Sequence, residues 1–171
     1  MRVRLETELG AIVVRLDARA APRTVHNFLR YVTGGHYDGG RFHRTVTMEN
    51  QPTDRIRIEV IQAGAAEDQT GFAPIALERT SETGLRHGDG TISMARAAPD
   101  TATSDFFICI GDQPELDFGG KRNPDGQGFA AFGSVVEGMD VVRRIQHAPA
   151  EGQRLKPPVR LLKARVEEVN Q

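Results

Sequence analysis

Two stretches decide the fold: Gly90-Thr91-Ile92-Ser93-Met94-Ala95-Arg96-Ala97 and, beyond a loop over 99–104, Asp105-Phe106-Phe107-Ile108-Cys109-Ile110. Gly88-Asp89-Gly90 is a turn signal, and Thr91 to Ala95 after it reads as a short strand. Phe106 to Ile110 is an unbroken apolar run, too short for a helix, which is the pattern of a strand buried on both faces. Cys109, inside that run, reads as a small core residue.

Further strands lie on either side. Val3 and Leu5 alternate with Arg2, Arg4 and Glu6, and Ala11 to Leu16 follows the Leu9-Gly10 turn, so the chain starts with a hairpin. Arg41 to Val46 and the alternating Arg55 to Val60 read as strands, with a polar loop over 47–54 between them. Phe129 to Val136 is another, and a last strand is expected from Val159 to Val169, after a proline-rich connection ending at Pro157-Pro158. Residues 63–90 and 111–128 read mostly as loop.

Two segments switch to helical spacing. Val25, Phe28, Leu29 and Val32 share one helix face; Pro22 suits the first helical position, where its missing N–H has no partner to lose, and Gly34-Gly35 ends the helix. Gly138 to Gln146 is the second, with Met139, Val142 and Ile145 on one face. The strands rarely alternate with helices, which disfavours a doubly wound parallel sheet. The expected class is mainly β: an eight-stranded, closed antiparallel barrel capped by two α-helices. The 171 residues carry no repeat or linker, and one domain, 1–171, is expected.

Composition narrows the function. Lys plus Arg is 22 and Asp plus Glu 23, interspersed, where a nucleic-acid binder shows a basic excess or stripe. Mean hydropathy is -0.41, and no stretch approaches the ~18 apolar residues of a membrane span. A single cysteine excludes an internal disulfide. The N-terminus has no apolar signal core, so a cytoplasmic protein is expected, or a periplasmic or secreted one if a leader has been removed. Phosphate-loop, dinucleotide, zinc-protease and serine-hydrolase motifs are absent, and the histidines fall at no metal-binding spacing. No cofactor and no metal are expected. Small size and balanced charge fit a monomer.

Two pieces are more specific: Phe42-His43-Arg44, and Gly90 to Ala97 followed by Ser104-Asp105-Phe106-Phe107-Ile108. Together they resemble the signature of the cyclophilin-type peptidyl-prolyl isomerases, especially bacterial ones. Ile61-Gln62-Ala63-Gly64, Glu115-Leu116-Asp117, Ala131 to Met139 and Ala21 to Phe28 fit the same family, in order and over nearly the whole chain. The resemblance implies an eight-stranded barrel with a helix at each end. It also implies catalysis of X-Pro cis/trans exchange, without cofactor, in peptides and folding chains.

In that reading Arg44 donates to the prolyl nitrogen of the twisted transition state, Gln62 binds a peptide carbonyl and orients Arg44, and Phe107 floors the proline pocket. Val60, Leu116 and Phe129 match the other pocket walls. Ala95, Arg96 and Ala97 match the backbone shelf that pairs with an extended substrate. His43 reads as a structural hydrogen-bonding residue. The runner-up is a cyclophilin-fold module that binds proline-containing segments with little turnover, as a chaperone or regulator.

The chain departs from the family pattern beside the site. Seventeen residues, 45–61, separate Arg44 from Gln62, which makes 47–58 an insertion. Glu59 replaces a wall aromatic and is expected to face solvent or pair with Arg44. Asp105 replaces a glutamine and Glu115 an indole or phenyl position. These three acids suggest an acidic groove that favours basic residues near proline, and weakened binding of cyclosporin-type ligands.

Overall fold

The computed structural model describes residues 1–68 and 70–168. Its strands are β1 (Arg2–Thr7), β2 (Gly10–Leu16), β3 (Gly40–Val46), β4 (Val60–Gly64), β5 (Thr91–Met94), β6 (Phe106–Cys109), β7 (Ala131–Glu137), β8 (Ala150–Glu151) and β9 (Arg154–Glu167). Neighbours run antiparallel in the order β1-β2-β7-β5-β6-β4-β3-β9, and β9 pairs back onto β1. That closes the expected eight-stranded barrel; the two-residue β8 is only a hairpin partner of β9.

Helix α1 (Pro22–Thr33) and helix α3 (Met139–Gln146) are the two expected helices, and α2 (Thr80–Thr83) adds a single turn. α1 buries Val25, Phe28, Tyr31 and Val32 against the barrel interior, and α3 buries Val141, Val142 and Ile145. Gly138 precedes α3 at φ +90°, where a Cβ would run into the Ala11 carbonyl, so the helix starts on the one residue type that fits.

Alternation on β4 and β6 separates two apolar clusters. Ile61, Ala63, Phe106 and Ile108 point into the barrel with Phe28, Phe42 and Phe132. Val60, Phe107 and Cys109 point outward, and with Val46, Ile58 and Leu116 they form a second cluster on the outer wall. All four β6 residues are buried, as an apolar run covered on both faces requires.

Two expected boundaries are corrected. Arg55 to Glu59 is not strand: β4 begins at Val60. The reason is the buried Gln51 side chain, which accepts from Ile58 N at 3.1 Å and donates to Ile58 O at 2.8 Å, replacing a neighbouring strand. The last strand starts at Arg154, with Pro157-Pro158 inside it. The β3–β9 register shifts there, from Phe42↔Val159 to Arg44↔Arg154, so the prolines sit in a bulge where no ladder N–H is needed. The expected end, Val169, lies outside the described residues.

Candidate active site

Barrel register assembles the site. Arg44 on β3 lies opposite Gln62 on β4, and Gln62 lies opposite Phe107 on β6. Three residues far apart in sequence thus form one row on the outer wall. The row opens into a cleft of about 580 Å³. All nine expected site residues line it: Arg44, Gln62 and Phe107 with Val60, Leu116 and Phe129, and the 95–97 shelf of Ala95, Arg96 and Ala97.

The Arg44 guanidinium is held on both edges. Nη1 donates to Gln62 Oε1 at 3.1 Å; Nε and Nη2 both donate to Gln153 Oε1, at 3.0 and 2.8 Å. Every one of these acceptors is a neutral amide, so Arg44 is oriented without being neutralised. Burial, then the nearby Arg122 charge, lowers its pKa, yet a guanidinium stays protonated at any working pH. Glu59 is not its partner; that side chain does not line the cleft, and Ile58 from the insertion takes the wall.

Gln62 is itself held. Its Nε2 donates to Asp105 Oδ2 at 3.0 Å, and His43 Nε2 lies 3.0 Å from the same oxygen. A Cβ at Gly64 would collide with the Asp105 carboxylate, so the glycine admits Asp105 to the network. His43 is thereby a structural partner of Asp105.

The apolar floor is braced from below. The Phe107 ring packs edge-on against Phe129 at 5.3 Å between centroids and stacks with His87 at 6.0 Å. His87 is buried between Asp117 Oδ1, 2.7 Å from Nδ1, and Ser93 Oγ, 2.8 Å from Nε2. Arg96 does not reach out with its charge: it bonds Asp125 and the Gly128 carbonyl and lies over the Phe129 ring at 4.9 Å. It fixes the Phe129 wall and leaves its backbone to the shelf.

The groove is not acidic. Of the three substituted acids only Asp105 lines the cleft, and it is engaged by His43 and Gln62. Glu115 instead accepts from Lys121 N at 2.8 Å, on the loop. Three arginines, Arg44, Arg96 and Arg122, line the cleft.

Gln153, Arg122, Ile58 and His87 were not among the expected site residues. Gln153 reaches Arg44 only through the β8–β9 turn, where Thr45 N donates to Gln153 O at 2.8 Å. Nothing local in sequence marks it. Arg122 carries no more local signal than any other arginine. Ile58 was visible as an apolar residue, but alternation placed it in a strand.

The structure is a closed barrel that carries a charged donor and an apolar floor in a cleft on its outer wall. Residues 2–166 match the cyclophilin type peptidyl-prolyl cis-trans isomerase family, and the chain belongs to it. It is 40% identical over 149 residues to peptidyl-prolyl cis-trans isomerase cyp18 of Streptomyces antibioticus, covering 84% of this chain and 82% of that one. It is 37% identical over 149 residues to peptidyl-prolyl cis-trans isomerase B of Escherichia coli, covering 84% and 83%. Its fold is shared with a cyclophilin of Cryptosporidium parvum crystallised in the presence of the dipeptide Ala-Pro: 21% identity, TM-score 0.79, 99% and 100% of the two chains covered.

Proposed function

We propose that the chain accelerates cis/trans exchange at X-Pro bonds by holding the proline ring on Phe107 and meeting the prolyl nitrogen with Arg44. The amide barrier is about 18–20 kcal/mol because rotation breaks resonance. In the twisted state the nitrogen regains a lone pair. A donor that meets it favours this state over either planar isomer, which is catalysis by differential binding. No proton changes hands, so the site needs no general base.

The observation that carries the reading is the Arg44 guanidinium. It is fixed on two edges by Gln62 and Gln153 and un-neutralised, at the rim of a cleft walled by Val60, Phe107, Leu116 and Phe129. Proline-containing peptides and unfolded chains are its proposed substrates, bound as extended segments along the 95–97 shelf. The proposed working form is a monomer, in keeping with the small size and balanced charge of the chain. Among the described residues no helix is long and apolar enough to cross a membrane.

The test is an isomerisation assay on short X-Pro peptides at low temperature, comparing wild type with Arg44→Ala. Loss of one such donor is expected to lower kcat/KM by roughly 10²–10³. Wild-type protein that binds the peptides without accelerating exchange would instead make this a binding module.

A further inference from the structure

We infer that the 47–58 insertion and Arg122 together make a cationic subsite that selects substrates with an acidic residue beside the proline. The inference rests on the reading of the cleft as a proline site and deepens it.

Arg122 stands on the loop between Leu116 and Phe129, yet it is held by the insertion. Its Nη1 donates to Gln51 Oε1 at 2.9 Å and to the Ile56 carbonyl at 2.7 Å, with Asp54 Oδ2 at 3.6 Å. All of these use one nitrogen. Nη2 and Nε have no hydrogen-bond partner among the described residues, and the side chain lines the cleft. The insertion therefore fixes the arginine and leaves two of its donor nitrogens for a ligand.

The charges of the cleft are unevenly distributed along it. Arg96 is matched by Asp125, and Asp105 is engaged by His43 and Gln62. Arg44 is bonded only to amides. Arg122 has one carboxylate, Asp54, which is itself about half exposed (44%) and so is screened by water. Asp105 lies at the Ala95 end of the cleft, so at the opposite end Arg122 and Arg44 face Asp54 alone, and the charge there is locally positive.

Position gives the subsite a direction. Ile58 and Val60, beside Arg122, sit at the Val60↔Cys109 end of the β4–β6 pair. Ala95 sits at the other end, where its N–H donates to Asp105 O at 3.0 Å. A peptide lying on the 95–97 shelf meets Arg122 only after passing the proline pocket. The acidic preference should therefore hold on one side of proline and not on the other.

The experiment uses peptides with Glu, Gln or Lys placed on either side of an X-Pro bond. Exchange rates and, separately, affinities by titration are measured for wild type, Arg122→Gln, Arg122→Lys and Asp54→Asn. Wild type is expected to favour Glu over Gln by about three- to fivefold on one side, Lys being worst, with the ratio shrinking at high salt. The ratio should approach one in Arg122→Gln, persist in part in Arg122→Lys and rise in Asp54→Asn. Equal handling of Glu and Gln by wild type, or a preference that survives Arg122→Gln, overturns the inference. No acceleration of any peptide, with binding that still favours Glu, would remove the isomerase reading and keep the cationic subsite.

Discussion

Gln153 accepts two hydrogen bonds from Arg44, at 3.0 Å from Nε and 2.8 Å from Nη2, across 109 positions of chain. A carboxylate in that place would hold the guanidinium as firmly and cancel its charge. The amide holds it and leaves the charge unpaired, as the proposed donation to a twisted peptide bond requires. Gln153→Ala should free one edge of Arg44 and lower kcat about tenfold, equivalent to ~1.4 kcal/mol, with little change in KM. Gln153→Glu should also lower kcat, by drawing Arg44 into an ion pair, while thermal stability is kept. Unchanged kcat in Gln153→Ala would show that Gln62 alone positions the arginine.

The insertion depends on Gln51. This side chain is buried and bonds Thr47 O, both backbone groups of Ile58, and Arg122. Gln51→Ala strands the Ile58 N–H and C=O, which costs about 1–3 kcal/mol for a buried unsatisfied group. Urea denaturation should show that loss. Peptide affinity should fall with it, since Ile58 is a pocket wall. Deleting 48–55 removes Gln51 too, and is expected to weaken substrate binding more than it disturbs the barrel. Full stability in Gln51→Ala would mean that the remaining contacts, those of Asn50, Arg57 and Arg122, hold the segment without it.

Acid should loosen the brace under Phe107. Burial raises the Asp117 carboxyl, but hydrogen bonds from the His87 side chain and backbone N–H, then the His87 and Arg86 charges, outweigh it and hold the pKa below its ordinary value. A group depressed in the folded state adds stability above its unfolded pKa of ~3.9 and loses it as pH falls through the folded value. Wild type should therefore exceed Asp117→Asn in stability at pH 7, and the gap should shrink below about pH 4. A gap independent of pH would mean that shape, not charge, is what Asp117 supplies.

Cyclosporin-type ligands should bind poorly. Glu115 is a carboxylate with no donor to offer and turns back to accept from Lys121 N, and Arg122 adds charge where an apolar macrocycle needs none. Calorimetry is expected to show a Kd of micromolar or weaker; nanomolar binding would overturn this.

Much of the barrel was legible because its cues are local. The apolar run at Phe106 to Ile110 is too short for a helix and too apolar for an open face. Pro22 and Gly34 bracket a helical period. The two misread boundaries have different causes: side chains replace the sheet ladder at one, and a bulge carries the strand past its prolines at the other. Arg55 to Val60 alternates as a strand does, but Gln51 takes the Ile58 backbone bonds and Arg122 takes the Ile56 carbonyl. Pro157-Pro158 reads as a break, and the bulge opposite His43 lets the strand run through it.

The order of Phe42-His43-Arg44, Gln62, Phe107 and the 95–97 shelf was legible in the sequence through its resemblance to the cyclophilin-type motifs. The sign of the groove was not. Sequence counted three acids near the pocket; the structure turns Glu59 and Glu115 away, engages Asp105, and brings Arg122 in. Charge at a site depends on which side chains share a cleft and which partners already hold them. Both are set by long-range register and loop closure, as in the 109 positions that separate Arg44 from Gln153.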